Sequence, residues 1–370
     1  MKILNKMILT LVFISFFFCP LVFAENDFTD ELLNEAISSV ESGEVDFEEI
    51  TKEVEEGKIF DFSKLLNEAI NLLFGEIKGS ISMLIKLVVT AVLSGVLCNL
   101  KLGKEESGTA QVSFFACYSL VAAMVINSFY ELLSFSGSTI DSLRIFMQSL
   151  IPALAAVISA GGSVSLAAYT PVLFGTMQII AHIAQNVFLP LIFTVTALSV
   201  VNNLSERFHI TKLVELLRQV LKWGLGLLLT IFVGLLGIQG VSTAFLDGVA
   251  GKTVKYALCN FVPVVGGVLA DSASAVLYSM GIVKNTLGIA GIVALVTICA
   301  VPLAKISAMG ILYKLSAGIC EPMADKRIVN LLSEISASIT QIFGILLIVC
   351  IMFIISIAIL CMLSGAIFRA

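Results

Sequence analysis

From residue 81 onward the chain is dominated by long apolar runs rather than by the stripes of a soluble amphipathic helix. They cover 81–100, 110–133, 148–201, 223–246, 256–283, 286–304 and 338–368. A helix rises 1.5 Å per residue, so about 20 apolar residues cross a hydrocarbon core of about 30 Å. The pattern predicts an all-α polytopic membrane body with about 6–8 transmembrane helices. Two runs are broken by helix-disfavouring residues. One is 148–171, with Pro152 near its start and Gly161–Gly162 at its centre. The other is 256–283, whose core "NFVPVVGGVLADS" carries Pro263, Gly266 and Gly267 and ends on Asp271. Arms of roughly 12–14 residues reach roughly 18–21 Å, past the midplane but short of a full crossing. These two stretches therefore read as re-entrant hairpins. Two basic stretches with helical spacing of apolar residues, 204–222 and 321–336, interrupt the runs.

The same landmarks recur in one order. "TKLVELLRQ" (211–219) lies over "KRIVNLLSE" (326–334), "LP" at 189–190 over "VP" at 301–302, and "IPALAAVISAGGS" from Ile151 over "VPVVGGVLADSAS" from Val262. This is a parallel internal repeat in which each unit holds a broken apolar segment, a long span near a proline and a basic amphipathic helix. Repeats built around broken helices are common in transporters.

The positive-inside rule wants both basic stretches in the cytoplasm. Three full crossings between them would forbid it, whereas a hairpin at 256–283 that enters and leaves by one face permits it. The resulting topology has six spans and two re-entrant hairpins, with eight ordinary spans as the alternative. The organisation that follows is 1–24 signal peptide, 25–80 acidic extracytoplasmic helical segment, 81–147 first two spans, 148–222 first repeat, 223–336 second repeat and 337–370 last span. In this scheme Arg144 falls on an outer connection.

Composition sharpens the class. Of 370 residues 58% are hydrophobic and 13% charged, and the mean hydropathy is +1.03. Soluble domains carry about 25% charged residues, so a multi-spanning membrane protein is the class that fits. Residues 25–80 hold sixteen acidic residues against four lysines, which gives the membrane body an acidic head. That head reads either as a solvated stalk or as a docking module. Lys2 and Lys6, an apolar run and Ala24 have the pattern of a secretory signal, with an uncleaved anchor as the alternative. Nucleic-acid binding is excluded, because no basic cluster is present on which to build a footprint. The eight cysteines lie singly and without CxxC spacing, as small apolar core residues do.

Polar residues inside apolar runs are the candidates for chemistry. Asp271 follows the Pro263/Gly266–Gly267 turn, and a carboxylate at the bilayer centre costs roughly 2.5–3.5 kcal/mol. It reads either as a cap of the second arm or a simply solvent-exposed residue, or as the lining of a polar path. Gln178, His182 and Gln185 recur at i, i+4 and i+7, with Asn186 adjoining, as one polar stripe. Interhelical hydrogen bonding and a hydrophilic conduit are the two accounts of it. At the repeat's offset Ala290, Ala294 and Thr297 replace the stripe, so any path is asymmetric. "DGVAGKT" (247–253) lacks the first glycine of a phosphate loop and the strand before it. His209 has no companion ligands. No nucleophile–base arrangement is present, and neither enzyme activity nor a cofactor or metal is expected.

"NFVPVVGGVLADS", followed by "GIVKNTLGIAGIVAL" and "VPLAKISAMGILYKLSAGICEPMADKRIVNLL", resembles the stage III sporulation protein AE family. The resemblance covers essentially the whole chain. It implies a component of the channel complex between mother cell and forespore, in the mother-cell membrane that surrounds the forespore. The partners it implies are membrane lipid and the other stage III sporulation proteins of the same operon, including a secretion-type ATPase and ring-forming proteins. Through the complex it also implies a forespore membrane partner. The function so implied is a permease or pore-forming subunit needed for late forespore development, or alternatively a non-conducting scaffold that anchors the rings and the ATPase. The family carries no catalytic motif to transfer.

Overall fold

The computed structural model describes residues 62–99, 108–160, 164–204, 210–261 and 266–363, and every element among them is helical. In chain order these are α1 (Phe62–Asn99), α2 (Gly108–Ala160), α3 (Val164–Ile183), a π-helical turn (Ala184–Phe188), α4 (Leu189–Leu204), α5 (Thr211–Phe261), α6 (Gly266–Cys320) and α7 (Lys326–Leu363). Among the described residues, five segments are long and apolar enough to cross a membrane: Phe114–Ser159, Tyr169–Leu204, Thr211–Leu236, Thr286–Cys320 and Lys326–Cys361. Leu84–Leu93 adds a shorter apolar stretch on α1. The signal-like segment, residues 25–61, Gly161, Gly162 and Pro263 lie outside the described residues.

Several predicted boundaries are not helix boundaries. The acidic segment and the first span meet inside α1. The expected outer connection at 134–147 is the middle of α2, a continuous helix of 53 residues. Its run "SFSGST" reads as a loop because serine and threonine compete for the backbone. Here they satisfy themselves on their own helix: Ser136 donates to the Leu132 carbonyl at 2.6 Å, Thr139 to Phe135 at 2.8 Å and Ser142 to Ser138 at 3.1 Å. Residues 148–160 are thus not a separate hairpin arm but the far end of α2. Residues 161–163 lie outside the described residues, and beyond them come α3, the π turn and α4. In the second broken stretch, 262–265 lie outside the described residues, between α5 and α6. Gly266 and Gly267 open α6, and Asp271 and Ser272 are its sixth and seventh residues rather than caps. Pro152 sits inside α2 and is exposed. Thr211 and Lys326, aligned in the repeat, are the first residues of α5 and α7.

Cross-helix contacts fix the levels. Between α2 and α6, Ser128 Oγ meets Tyr313 Oη, Lys305 Nζ lies 4.5 Å from the centre of the Phe135 ring, and Leu150 packs on Gly291. These contacts share one antiparallel register, a step forward on α2 for each step back on α6. Between α6 and α7, Gly310 meets Ile339 and Gly288 meets Cys361. The 22 steps from 288 to 310 span roughly 33 Å, close to a hydrocarbon thickness. Helix α7 is the centre of the bundle, packing on α6, α2, α3, α4 and α5. Its Leu331, Ile335, Ile342, Leu346, Phe353 and Ile357 are fully buried. Leu120, Ile126, Leu227 and Ile231 face outward, as lipid-facing side chains do.

Candidate functional site

The N-terminal turns of α5 and α7, which carry 211–222 and 326–336, lie at one end of the bundle; 204–222 holds four basic residues against two acidic, and 321–336 two against three. Asn202 Oδ1 caps α5, accepting from the Ile210 N–H and the Thr211 hydroxyl at 3.2 Å each. Asp325 Oδ1 caps α7, accepting the Arg327 N–H at 2.9 Å. Arg218 then ties the two stretches together. Its Nη2 donates to the Glu334 carbonyl at 3.1 Å and to Ser199 Oγ at 3.2 Å. Its guanidinium stands 3.8 Å from the Glu334 carboxylate. The start of α2 is held at the same end, where Arg327 lies 3.6 Å over the Phe114 ring and Tyr118 donates to the Val200 carbonyl at 2.6 Å.

The predicted polar stripe is central to a second site. Gln178, His182 and Gln185 line a cleft of about 500 Å³. Gln185 falls in the π turn, where the Leu189 N–H reaches back five residues to the Ala184 carbonyl. Pro190 follows at once, and a ring that supplies no N–H and crowds the carbonyl four residues back is a known cause of such widening. The wider turn carries Gln185 across to α2, where its Nε2 donates to the Gly137 carbonyl at 2.9 Å. Asn186 is tied down locally, its Nδ2 3.2 Å from the His182 carbonyl and 3.0 Å from His182 Nδ1. Part of the stripe is therefore interhelical bonding, and part of it is open surface.

The stripe gains a charged partner that the sequence reading had placed outside. Arg144 also lines the cleft, together with Ile179. Its Nε and Nη2 both donate to Asp141 Oδ1, at 3.2 and 3.0 Å. In the register above, Arg144 lies level with Thr297, near the middle of the apolar 286–304 stretch, and Asp141 lies one turn of α2 before it. An ion pair therefore stands at mid-depth in the bundle, and its side chains are 35% and 46% exposed in the isolated chain. The signal for it was present as an Asp/Arg pair at i, i+3, but it becomes visible only once α2 is known to run unbroken through 134–147. Pro152, the one hairpin candidate whose side chain is described, does not line the cleft. Gly266, Gly267 and Asp271 belong to the start of α6, beyond the Gly288 level.

Comparison with known proteins identifies the family. A profile of the stage III sporulation protein AE family matches residues 45–364. Stage III sporulation protein AE of Bacillus subtilis (strain 168) is 32% identical over 304 residues, covering 82% of this chain and 76% of the relative. No solved structure matches. The chain belongs to the stage III sporulation protein AE family.

Proposed function

We propose that the chain is a permease or pore-forming subunit of the channel complex between mother cell and forespore. In this reading it lies in the mother-cell membrane with its basic end in the cytoplasm. The observation that carries the proposal is the Asp141–Arg144 pair, whose Arg144 lines a mid-depth cleft together with Gln178, His182 and Gln185. Charged groups at that depth are costly, and they normally face a bundle interior or a water-filled cavity rather than lipid. A pair exposed on the isolated chain therefore calls for water, solute or a neighbouring subunit along that face. Interfacial lysines at the opposite level support the orientation: Lys212, Lys222, Lys314 and Lys326 are all exposed, and positive residues favour the cytoplasmic side.

The other reading is a non-conducting scaffold for the ring-forming proteins and the secretion-type ATPase. The Arg218–Glu334 tie favours it, because it holds the two basic stretches in one rigid cytoplasmic face. The two readings differ in sporulating cells. Where an ion pair is screened from bulk water, replacing both partners by apolar residues is often neutral for stability, whereas removing one is not, and this pair is partly exposed. The double change Asp141→Leu with Arg144→Leu should leave protein level and complex assembly intact yet abolish late forespore development. Normal sporulation of the double variant would favour the scaffold.

A further inference from the structure

We infer that Arg144 is a binding anchor for the carboxylate of a small solute and that Asp141 occupies it between passages. The inference rests on the permease reading and adds to it the class of molecule carried.

The cleft presents the guanidinium rather than the carboxylate. Arg144 lines it and Asp141 does not. Around Arg144 the lining supplies two carboxamides and an imidazole, which can all donate, together with the apolar Ile179. No acidic side chain lines the cleft among the described residues. A cationic solute would thus find its one potential counter-charge, Asp141, already accepting two N–H bonds from Arg144. A carboxylate would find a cation. The guanidinium carries five N–H donors in a planar fork, and two of them are directed at Asp141. The fork matches a carboxylate in bidentate fashion, whereas Asp141 engages it through the single oxygen Oδ1, so a solute carboxylate that offers both oxygens can compete with Asp141. Asp141 then serves two purposes. It keeps the arginine from standing uncompensated at mid-depth when the cleft is empty, and it competes with the solute, which keeps binding weak enough for release. A volume of about 500 Å³ lies within the roughly 300–1,000 Å³ of small-molecule sites and suits an amino acid or a short dicarboxylate.

The test uses the full-length protein in lipid nanodiscs, with L-glutamate, succinate and L-alanine as probes and with inorganic phosphate and putrescine as competitors. Saturable binding of at least one carboxylate probe is expected. It should weaken at least ~tenfold in R144Q, because hydrogen bonds to a charged group are lost. R144K, which keeps the charge but not the fork, should fall between R144Q and the native protein. D141N removes the competitor and should tighten binding several-fold, a gain that misfolding does not mimic. Putrescine should not compete. Absence of binding by every carboxylate probe would overturn the inference, as would equal binding by R144Q and the native protein. Competition by putrescine would reassign the site to cations, and tighter binding of phosphate than of every carboxylate would reassign it to phosphates. Failure here leaves the permease reading standing if cysteines placed at Gln178 and His182 still react with water-borne reagents, and both fall if they do not.

Discussion

At the residue scale, close approach rather than polarity decides which positions tolerate change. A Cβ on Gly291 would stand 2.6 Å from Leu150 Cδ2, and one on Gly288 would overlap Cys361 Sγ. A Cβ on Gly226 would meet nothing within 4 Å. Overpacking a filled core costs typically about 1–3 kcal/mol. Gly288→Val should therefore lower the melting temperature of the detergent-purified protein, while Gly226→Val should leave it nearly unchanged. Equal effects would mean that α6 and α7 do not meet as described. The stripe at Gln178, His182 and Gln185 was legible from spacing alone. Asp141 and Arg144 were not, because their neighbours Ser136, Gly137, Ser138 and Thr139 carry the composition of a turn. Hydroxyl groups bonded to their own helix give no separate sign of it in sequence.

At the scale of elements, periodicity located the apolar runs but not the helices that contain them. The basic stretches 204–222 and 321–336 read as separate surface helices. From Thr211 and Lys326 they are instead the first turns of α5 and α7, and α5 runs unbroken through Gly224 and Gly226 into the apolar residues that follow. The broken stretches were legible as places interrupted by proline and glycine, and 161–163 and 262–265 lie outside the described residues. Their arms were not, because a hairpin arm and the end of a long helix have the same composition. The register of α2 on α6 gives a direct check. Cysteines replacing Ser128 and Tyr313 should cross-link with a short reagent, since the native side chains are in hydrogen-bond contact. Cysteines at Ser128 and Gly291 should not, being separated by about 22 residues of helix along the shared axis, roughly 33 Å. Cross-linking of the second pair and not the first would require a different register.

For the whole molecule, the Arg218–Glu334 tie places the two basic stretches at one end, so α5 and α6 form one outward and one returning path. In a cysteine-free background, Lys212→Cys and Lys326→Cys should both resist a membrane-impermeant reagent on intact cells and react once the cells are opened. Labelling of only one from outside would break that arrangement. The central claim, however, is that water reaches the polar face at mid-depth. Single cysteines at Gln178, His182 and Gln185, compared with one at the outward, apolar Ile126, test it most directly with a small charged thiol reagent in sporulating cells. The account predicts fast reaction at Gln178 and His182, slower reaction at the half-buried Gln185, and none at Ile126. Protection of all three stripe positions, with normal sporulation of the variants, would contradict it and leave a scaffold whose polar stripe only joins helices.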